Sequence, residues 1–375
     1  MKRHHDTPSG DSYNRLQSLM QLTALINSSL DPLEVRQMAI ETIPHCVSAD
    51  VASLLLIDSE TGELYFEVAS GENSETLKTI RLKPGEGIAG WVARRGGAII
   101  IDDVKSDKRF ASTVDNTTGY QTRNMIVAPV ATKDKLWGVL QVINKLAGDF
   151  NEDDLDLVRA LANQVAIAIE NASIYQELRS TFLGVTTALA EALEKRDAYT
   201  AGHTQRVHEY SLAIARRLHL SDEQLDNLRL AAILHDIGKI GVSDQVLRKP
   251  GRLDPDEFEE MSRHPASGSE ILQHLPQLAE VRPGVLYHHE QYNGKGYPSR
   301  LQGEAIPLFA RIIAVADAFD AMTSNRPYRT ALAVDTALAE LKRCRGEQFD
   351  PGSVDAFMAA WQAGEISLEQ TGRTN

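Results

Sequence analysis

An α+β domain joined by one long helix to an all-α domain is the architecture this sequence predicts, and three observations carry it. β-rich runs separated by short turns fill Val51 to Ile143. An apolar seam at three- and four-residue steps follows, from Leu155 through Val158, Ala162, Val165 and Ile169 to Ala172. From Asp197 onward the apolar spacing is helical, punctuated by turn signals at Gly238, Pro250-Gly251, Pro283-Gly284 and Asn293-Gly294. At 375 residues, 42% of them hydrophobic, the chain can bury two cores.

The elements follow in order. Residues 1–11 are polar and read as disordered. From Asn14 an apolar pattern at helical spacing (Leu16, Leu19, Leu22, Ile26) runs to Leu30, where Asp31-Pro32 starts a new element. "VASLLLID" and "ELYFEVAS" flank the turn Ser59-Glu60-Thr61-Gly62 and read as a hairpin. "GGAIIIDDV", "MIVAPVAT" and "LWGVLQVIN" supply further strands, so the domain is an antiparallel sheet with helices around it. Asn151 suits a helix cap, with Glu152, Asp153 and Asp154 in the first turn. The helix it opens continues toward Leu193 without a Pro or Gly-rich break, Gly184 being its one glycine between Phe150 and Thr200. Such a seam predicts pairing with a second copy; the plainer alternative is that the helix packs on both domains.

Net charge is −13, which disfavours DNA or RNA as a partner. No apolar run reaches the roughly 18–20 residues that cross a bilayer, and the charged start has no apolar stretch behind it. Cys46 and Cys344 are far apart and lack metal-ligand spacing. The expectation is a cytoplasmic protein without membrane contact.

Chemistry-bearing residues gather in the C-terminal half. His235 and Asp236 are adjacent, His264 precedes Pro265, and His288 and His289 are adjacent, with Glu290 and the loop "NGKGYP" behind them. Asp317 lies in "ARIIAVADAFDAM", and His203 opens the helical run "HTQRVHEYSLAIARRL". A single histidine is more often an ordinary surface or core residue than a ligand. Imidazoles and carboxylates spread over several apolar helices are another matter, and suit borderline first-row metals such as Fe, Mn or Zn. Two such ions sharing a carboxylate make the arrangement used on phosphate esters.

The run "HDIGKIGVSDQVL" (235–247), "HP" at 264–265 and "HHEQYNGKGYPSRLQGEAIPLFARIIAVADAFDAMTSNRPYR" (288–329) resemble the HD-GYP phosphodiesterases, a branch of the HD hydrolase superfamily acting on cyclic di-GMP. The resemblance spans about Asp197 to Asp350 and implies a domain over 184–375. It implies a dinuclear Fe or Mn centre held by His203, His235, Asp236, His264, His288, His289 and Asp317, with Asp236 bridging. Asp236 and Lys239 would carry the chemistry, Lys239 binding the scissile phosphate. Tyr297, of Gly296-Tyr297-Pro298, would wall the pocket. Arg326 and Arg329 would pair with guanine edges or phosphates, or else form surface ion pairs. Some relatives carry Glu four residues before the first ligand His and hold a third metal; Tyr199 stands there in this chain, which implies two ions. The implied reaction is hydrolysis to the linear dinucleotide pGpG, with GMP as the alternative end product; Tyr199 in place of the Glu leaves open how completely the substrate is cut. A mixed cyclic GMP–AMP dinucleotide is an alternative substrate, and a non-catalytic cyclic dinucleotide receptor is an alternative of another class.

"LKPGEGIAGWVARRGGAIIIDDVKSDKRF" (82–110) and the elements around it resemble the GAF sensory domains, implying such a domain over 12–172 and a connecting signalling helix over 151–196. "NKLAGDFNEDDL" resembles the N-K-x-x-x-x-F-x-x-x-D-E signature of cyclic-nucleotide-binding members: Asn144, Lys145, Phe150 and Asp154 match, while Leu155 stands in place of the final Glu. In that family the Lys–Asp pair braces the fold, so a cyclic nucleotide is one option for the ligand and a dimerisation platform is another. The expected assembly is a homodimer through this domain and the connecting helix.

Overall fold

A computed structural model describes residues 32–70, 74–196, 202–325 and 330–367. The helix read at 14–30 lies outside the described residues, as do Tyr199, Arg326 and Arg329. The chain divides into two compact units, Met1–Arg179 and Ser180–Asn375. Among the described residues no helix is long and apolar enough to cross a membrane.

The first unit is built on a six-stranded sheet of β1 (Ala49–Ile57), β2 (Leu64–Ala69), β3 (Arg81–Leu82), β4 (Ile99–Ile101), β5 (Met125–Ala131) and β6 (Leu136–Lys145). Strand order is β3-β2-β1-β6-β5-β4, and every pairing is antiparallel. The five long β-rich runs of the sequence become β1, β2, β4, β5 and β6. The two-residue β3 is too short to leave a pattern. The helices are α1 (Pro32–Cys46), α2 (Ser74–Leu77), α3 (Gly87–Arg95), α4 (Thr113–Thr118) and α5 (Glu152–Glu194).

β1, β5 and β6 read as continuous apolar runs because both faces of the sheet are covered. Leu54, Ile126, Leu140 and Val142 pack with Ile40 and Ile43 of α1 and with Val158, Leu161 and Val165 of α5. Leu55, Val127 and Val139, on the opposite face, pack with Ile88 and Val92 of α3. Asn151 and Asp154 cap α5 reciprocally: Asp154 N–H donates to Asn151 Oδ1 at 2.9 Å, and Asn151 N–H donates to Asp154 Oδ2 at 3.2 Å.

The second unit is all-α. Its helices are α6 (His203–Arg217), α7 (Asp222–Leu234), α8 (Asp244–Leu247), α9 (Pro255–Ser262), α10 (His264–Leu272), α11 (Arg282–Tyr287), α12 (Leu308–Thr323), α13 (Val334–Arg343) and α14 (Pro351–Gln362). Capping boxes at Ser221/Gln224 and Asp254/Glu257 fix where α7 and α9 begin. The core centres on the rings of Tyr210, Phe319 and Phe357, with centroids 4.7–6.3 Å apart in edge-on and tilted pairs. Each such fully buried side chain contributes about 2–3 kcal/mol. These contacts anchor α6, α12 and α14, so that α12 holds Asp317 on a rigid support. The part of α5 from Ser180 onward belongs to this second unit, and its Phe182 and Ala190 pack in the same core.

Candidate metal centre

The ligand candidates all stand at helix ends or on α12. His203 opens α6, His235 follows α7, His264 opens α10, and His288 and His289 follow α11. After His235 the chain turns at Asp236 into a short 3-10 helix, Ile237–Gly241, that carries Lys239. Pro265 stands in the first turn of α10, where its missing N–H costs nothing.

Three of these imidazoles are held alike. Nδ1 of His235 lies 2.7 Å from the Ala232 carbonyl, Nδ1 of His264 2.8 Å from that of Met261, and Nδ1 of His288 2.7 Å from that of Val285. A carbonyl only accepts, so each Nδ1 carries the proton and each Nε2 keeps a lone pair. His203 is held by a carboxylate instead, Asp320 Oδ2 at 2.8 Å from its Nδ1.

The free nitrogens converge. His203 Nε2 and His235 Nε2 are 3.4 Å apart, and His264 Nε2 and His288 Nε2 are 3.3 Å apart. Two lone pairs facing at that distance repel unless a positive charge lies between them. The donor set therefore fits cations, and it falls into two groups: His203, His235 and Asp236, and His264, His288 and His289, the donor atoms of each group lying within 4.8 Å of one another.

Asp236 faces both groups. Its Oδ1 is 3.2 Å from His264 Nε2, while its Oδ2 is 3.4 Å from His235 Nε2, 3.8 Å from His203 Nε2 and 2.6 Å from Lys239 Nζ. Asp317 Oδ1 joins the first group at 3.6 Å from His203 Nε2. Burial pushes the Asp236 carboxyl up, but Lys239 and the imidazoles outweigh it and hold the group well below the usual carboxylate range. Burial, with neighbouring imidazoles, drives His288 and His289 well below the ordinary histidine value, which keeps them neutral and able to donate lone pairs.

Tyr297 packs its ring 5.0 Å from that of His289. Burial, then Asp236 and Asp317, raise its phenol, so it stays protonated. The loop that carries it is not helical; Glu290, buried behind His289, folds it back by accepting from Ser299 N–H at 2.6 Å and Leu301 N–H at 3.1 Å. A Cβ at Gly296 would lie 2.3 Å from Gln291 N and 2.5 Å from His289 O, so only glycine lets this loop close over the histidine pair.

Asp320, Arg206 and Glu290 are the residues the sequence reading left without a role. Arg206 clamps Asp320 through Nε at 2.5 Å and Nη2 at 3.0 Å, so the carboxylate that orients His203 is itself fixed. Burial raises Asp320, but His203 and Arg206 prevail and hold it at about 2. The signal was present as a second aspartate three residues after Asp317, on the same face of an apolar helix. Asp320→Asn is expected to weaken metal binding about 10–100-fold while the far-ultraviolet spectrum stays unchanged. Titration of the metal-free chain with Mn(II) checks it, and unaltered affinity would refute the orienting role.

In the first unit the motif residues brace one another. Lys145 Nζ donates to Asp154 Oδ2 and to the Val47 carbonyl, both at 2.8 Å, and lies 5.6 Å from the centre of the Phe150 ring. Asn144 accepts from Arg123 N–H and donates to the Gln121 carbonyl and the Tyr120 hydroxyl. None of the four lines the cavity of about 360 Å³ that opens between the sheet, α3 and α4. That cavity is walled by Phe66, Leu82, Ile88, Phe110 and Met125, with Asp50 and Asp115 in its lining and no Lys or Arg among the described lining residues.

Comparison with known proteins agrees with this division. A family model for the GAF domain matches residues 31–169, and one for the HD domain matches residues 187–352. Over 215 residues the chain is 43% identical to the cyclic di-GMP phosphodiesterase response regulator RpfG of Xanthomonas campestris, covering 56% of this chain and 54% of that one. It is 35% identical over 217 residues to the 3'3'-cGAMP-specific phosphodiesterase 2 of Vibrio cholerae, covering 57% and 41%. The chain thus spans about half the length of these relatives. With a cyclic di-GMP phosphodiesterase of Thermotoga maritima the match is 37% over 319 residues, covering 78% of this chain and 83% of the other. By that near-full-length match the chain belongs to the HD-domain family of the cyclic di-GMP phosphodiesterases, with a GAF domain ahead of its HD domain.

Proposed function

We propose that the chain is a metal-dependent phosphodiesterase that hydrolyses cyclic di-GMP, to pGpG or as far as GMP, under control of its GAF domain. The observation that carries this is Asp236, one carboxylate facing two groups of imidazole donors with Lys239 at its side. His203, His235, Asp236 and Asp317 would hold one ion, and His264, His288, His289 and Asp236 the other; the donor set suits Fe or Mn. When bound, the two ions would supply Lewis-acid stabilisation of the phosphate oxygens and a water acidic enough to react at neutral pH. Lys239, 2.6 Å from Asp236, stands where its ammonium can bind the scissile phosphate and offset charge built up on it. Tyr297 and the Glu290-tied loop wall the site, and Arg326 and Arg329 are proposed to reach the guanine edges or phosphates. Cys46 and Cys344 are not joined in a disulfide, as suits a reducing cytoplasm.

The test is incubation of the full chain, loaded anaerobically with Fe(II) or Mn(II), with cyclic di-GMP, the products being separated by chromatography. Appearance of pGpG or GMP is expected. Binding without turnover under either metal would leave an autoinhibited enzyme or a receptor, and the same assay on residues 184–375 alone decides between them: turnover there marks autoinhibition, and its absence the receptor. The mixed cyclic GMP–AMP dinucleotide belongs in the same assay because three relatives are named for it, and a higher kcat/KM on it would move the substrate assignment.

A homodimer is proposed as well, but not through the seam that the sequence offered: Leu155, Val158, Ala162, Val165, Ile169 and Ala172 are buried, the first five of them packed in the core of the first unit, so they cannot meet a second copy. Ile167, Ile174, Leu178, Val185 and Leu189 stay exposed on α5, repeating at steps of seven and four residues. Such an eleven-residue repeat forms a continuous stripe along a helix. Twice the chain mass in sedimentation is expected, and Leu178→Glu should lower it; a monomeric wild type would rule the dimer out.

A further inference from the structure

We propose that Phe258 is a base-stacking residue, its exposed ring holding a purine of the cyclic dinucleotide while the phosphate lies at the histidine–aspartate cluster. The inference rests on the function proposed above and adds a substrate contact that no motif marks. Helix α9 carries Asp256, Glu257, Glu259 and Glu260 around this single aromatic residue, which is 54% exposed. One exposed phenylalanine is ordinary by itself. This one has a directed neighbour: its ring meets that of Tyr297 at 6.1 Å and 81°, and Tyr297 in turn lies 5.0 Å from His289 at 31°. Three aromatic rings therefore lead outward from the His264–His288–His289 group. A near-perpendicular contact occupies only an edge or one face of Phe258, and leaves a flat apolar face to solvent beside the site.

The surrounding charge says which part of the substrate belongs there. Of the four carboxylates on α9, Glu257 pairs with Lys249 and Glu259 with Arg263; the net negative charge left by Asp256 and Glu260 disfavours a phosphate, whereas a purine is neutral and presents a π-face whatever its edge. Phosphate at the cluster beside Lys239 and base on Phe258 divide the dinucleotide between the histidine–aspartate cluster and the acidic helix.

Steady-state kinetics on cyclic di-GMP with the Mn(II)-loaded full chain test this. Phe258→Ala and Phe258→Leu are expected to raise KM about tenfold or more, with kcat within about twofold of wild type. Phe258→Trp should restore KM, because it returns a π-face. A wild-type KM in the Ala variant, or in the Leu variant, overturns stacking, the latter because apolar bulk alone would then suffice. A fall in kcat and thermal stability at unchanged KM would make the residue structural and overturn it equally. A wild type that turns over no cyclic dinucleotide removes the parent reading and the stacking with it, so the two failures are told apart by the wild-type control.

Discussion

Asp236→Ala is expected to remove measurable hydrolysis of cyclic di-GMP, a loss of about 10³-fold or more, and to leave the chain well short of its full metal content. The size of the effect follows from position. Each imidazole candidate serves one donor group, but Asp236 sends Oδ1 toward His264 and Oδ2 toward His235 and His203. Taking it away leaves two groups of imidazoles with Asp317 as the remaining carboxylate among the ligand candidates. It also takes from Lys239 the carboxylate 2.6 Å away. Losing a shared anion weakens both cation sites together, and several kcal/mol of transition-state stabilisation converts to three or more decades of rate. Elemental analysis alongside the assay separates a site that fails to load from one that loads and fails to react. Substantial turnover in this variant would dismiss the shared-carboxylate reading. His289→Ala, which touches only one group, should instead weaken metal retention at that group alone.

Much of this arrangement is legible in the sequence because it is local. His235-Asp236 and His288-His289 are adjacent pairs at helix ends, and the helix boundaries around them are written in Ser221, Asp254 and Pro265. The sheet of the first unit is legible for a related reason: strands covered on both faces are long apolar runs between turn residues. What is not legible depends on distance along the chain. Asp320 meets His203 across 117 residues and Arg206 across 114, and no spacing rule joins such residues. Phe258 is one aromatic residue in an acidic octapeptide until Tyr297 is set beside it. The motif at Asn144 to Asp154 shows the reverse: it is plain in sequence, yet it ties strand to helix and takes no part in the cavity's lining. A pattern in sequence reports that residues are constrained, and only packing tells which constraint it is.

Gly238→Ala shows how closely the two donor groups depend on backbone contact. A Cβ there would lie 1.9 Å from the His264 carbonyl oxygen and 2.5 Å from Gly268 N, both of them backbone atoms that no rotamer change can move. The 3-10 helix after Asp236 thus rests directly on the first turn of α10. That contact sets the 3.2 Å between Asp236 and His264. Overpacking in a core costs about 1–3 kcal/mol when side chains can yield; with backbone on both sides the upper end, about 3 kcal/mol, is the expectation. Relief by separation would draw Asp236 away from His264 and break the sharing between the groups. The variant should therefore unfold at lower temperature and lose most of its turnover together with metal from the second group. Gly241→Ala is the matched control, since a Cβ on that glycine of the same segment meets nothing within 4 Å. If both variants behaved as wild type, the close approach at Gly238 would carry no weight in building the site. If both failed alike, the cause would be the stiffness of the 3-10 turn rather than its contact with α10. Only a defect confined to position 238 supports the picture of two ligand-bearing elements held in register by the absence of one methyl group.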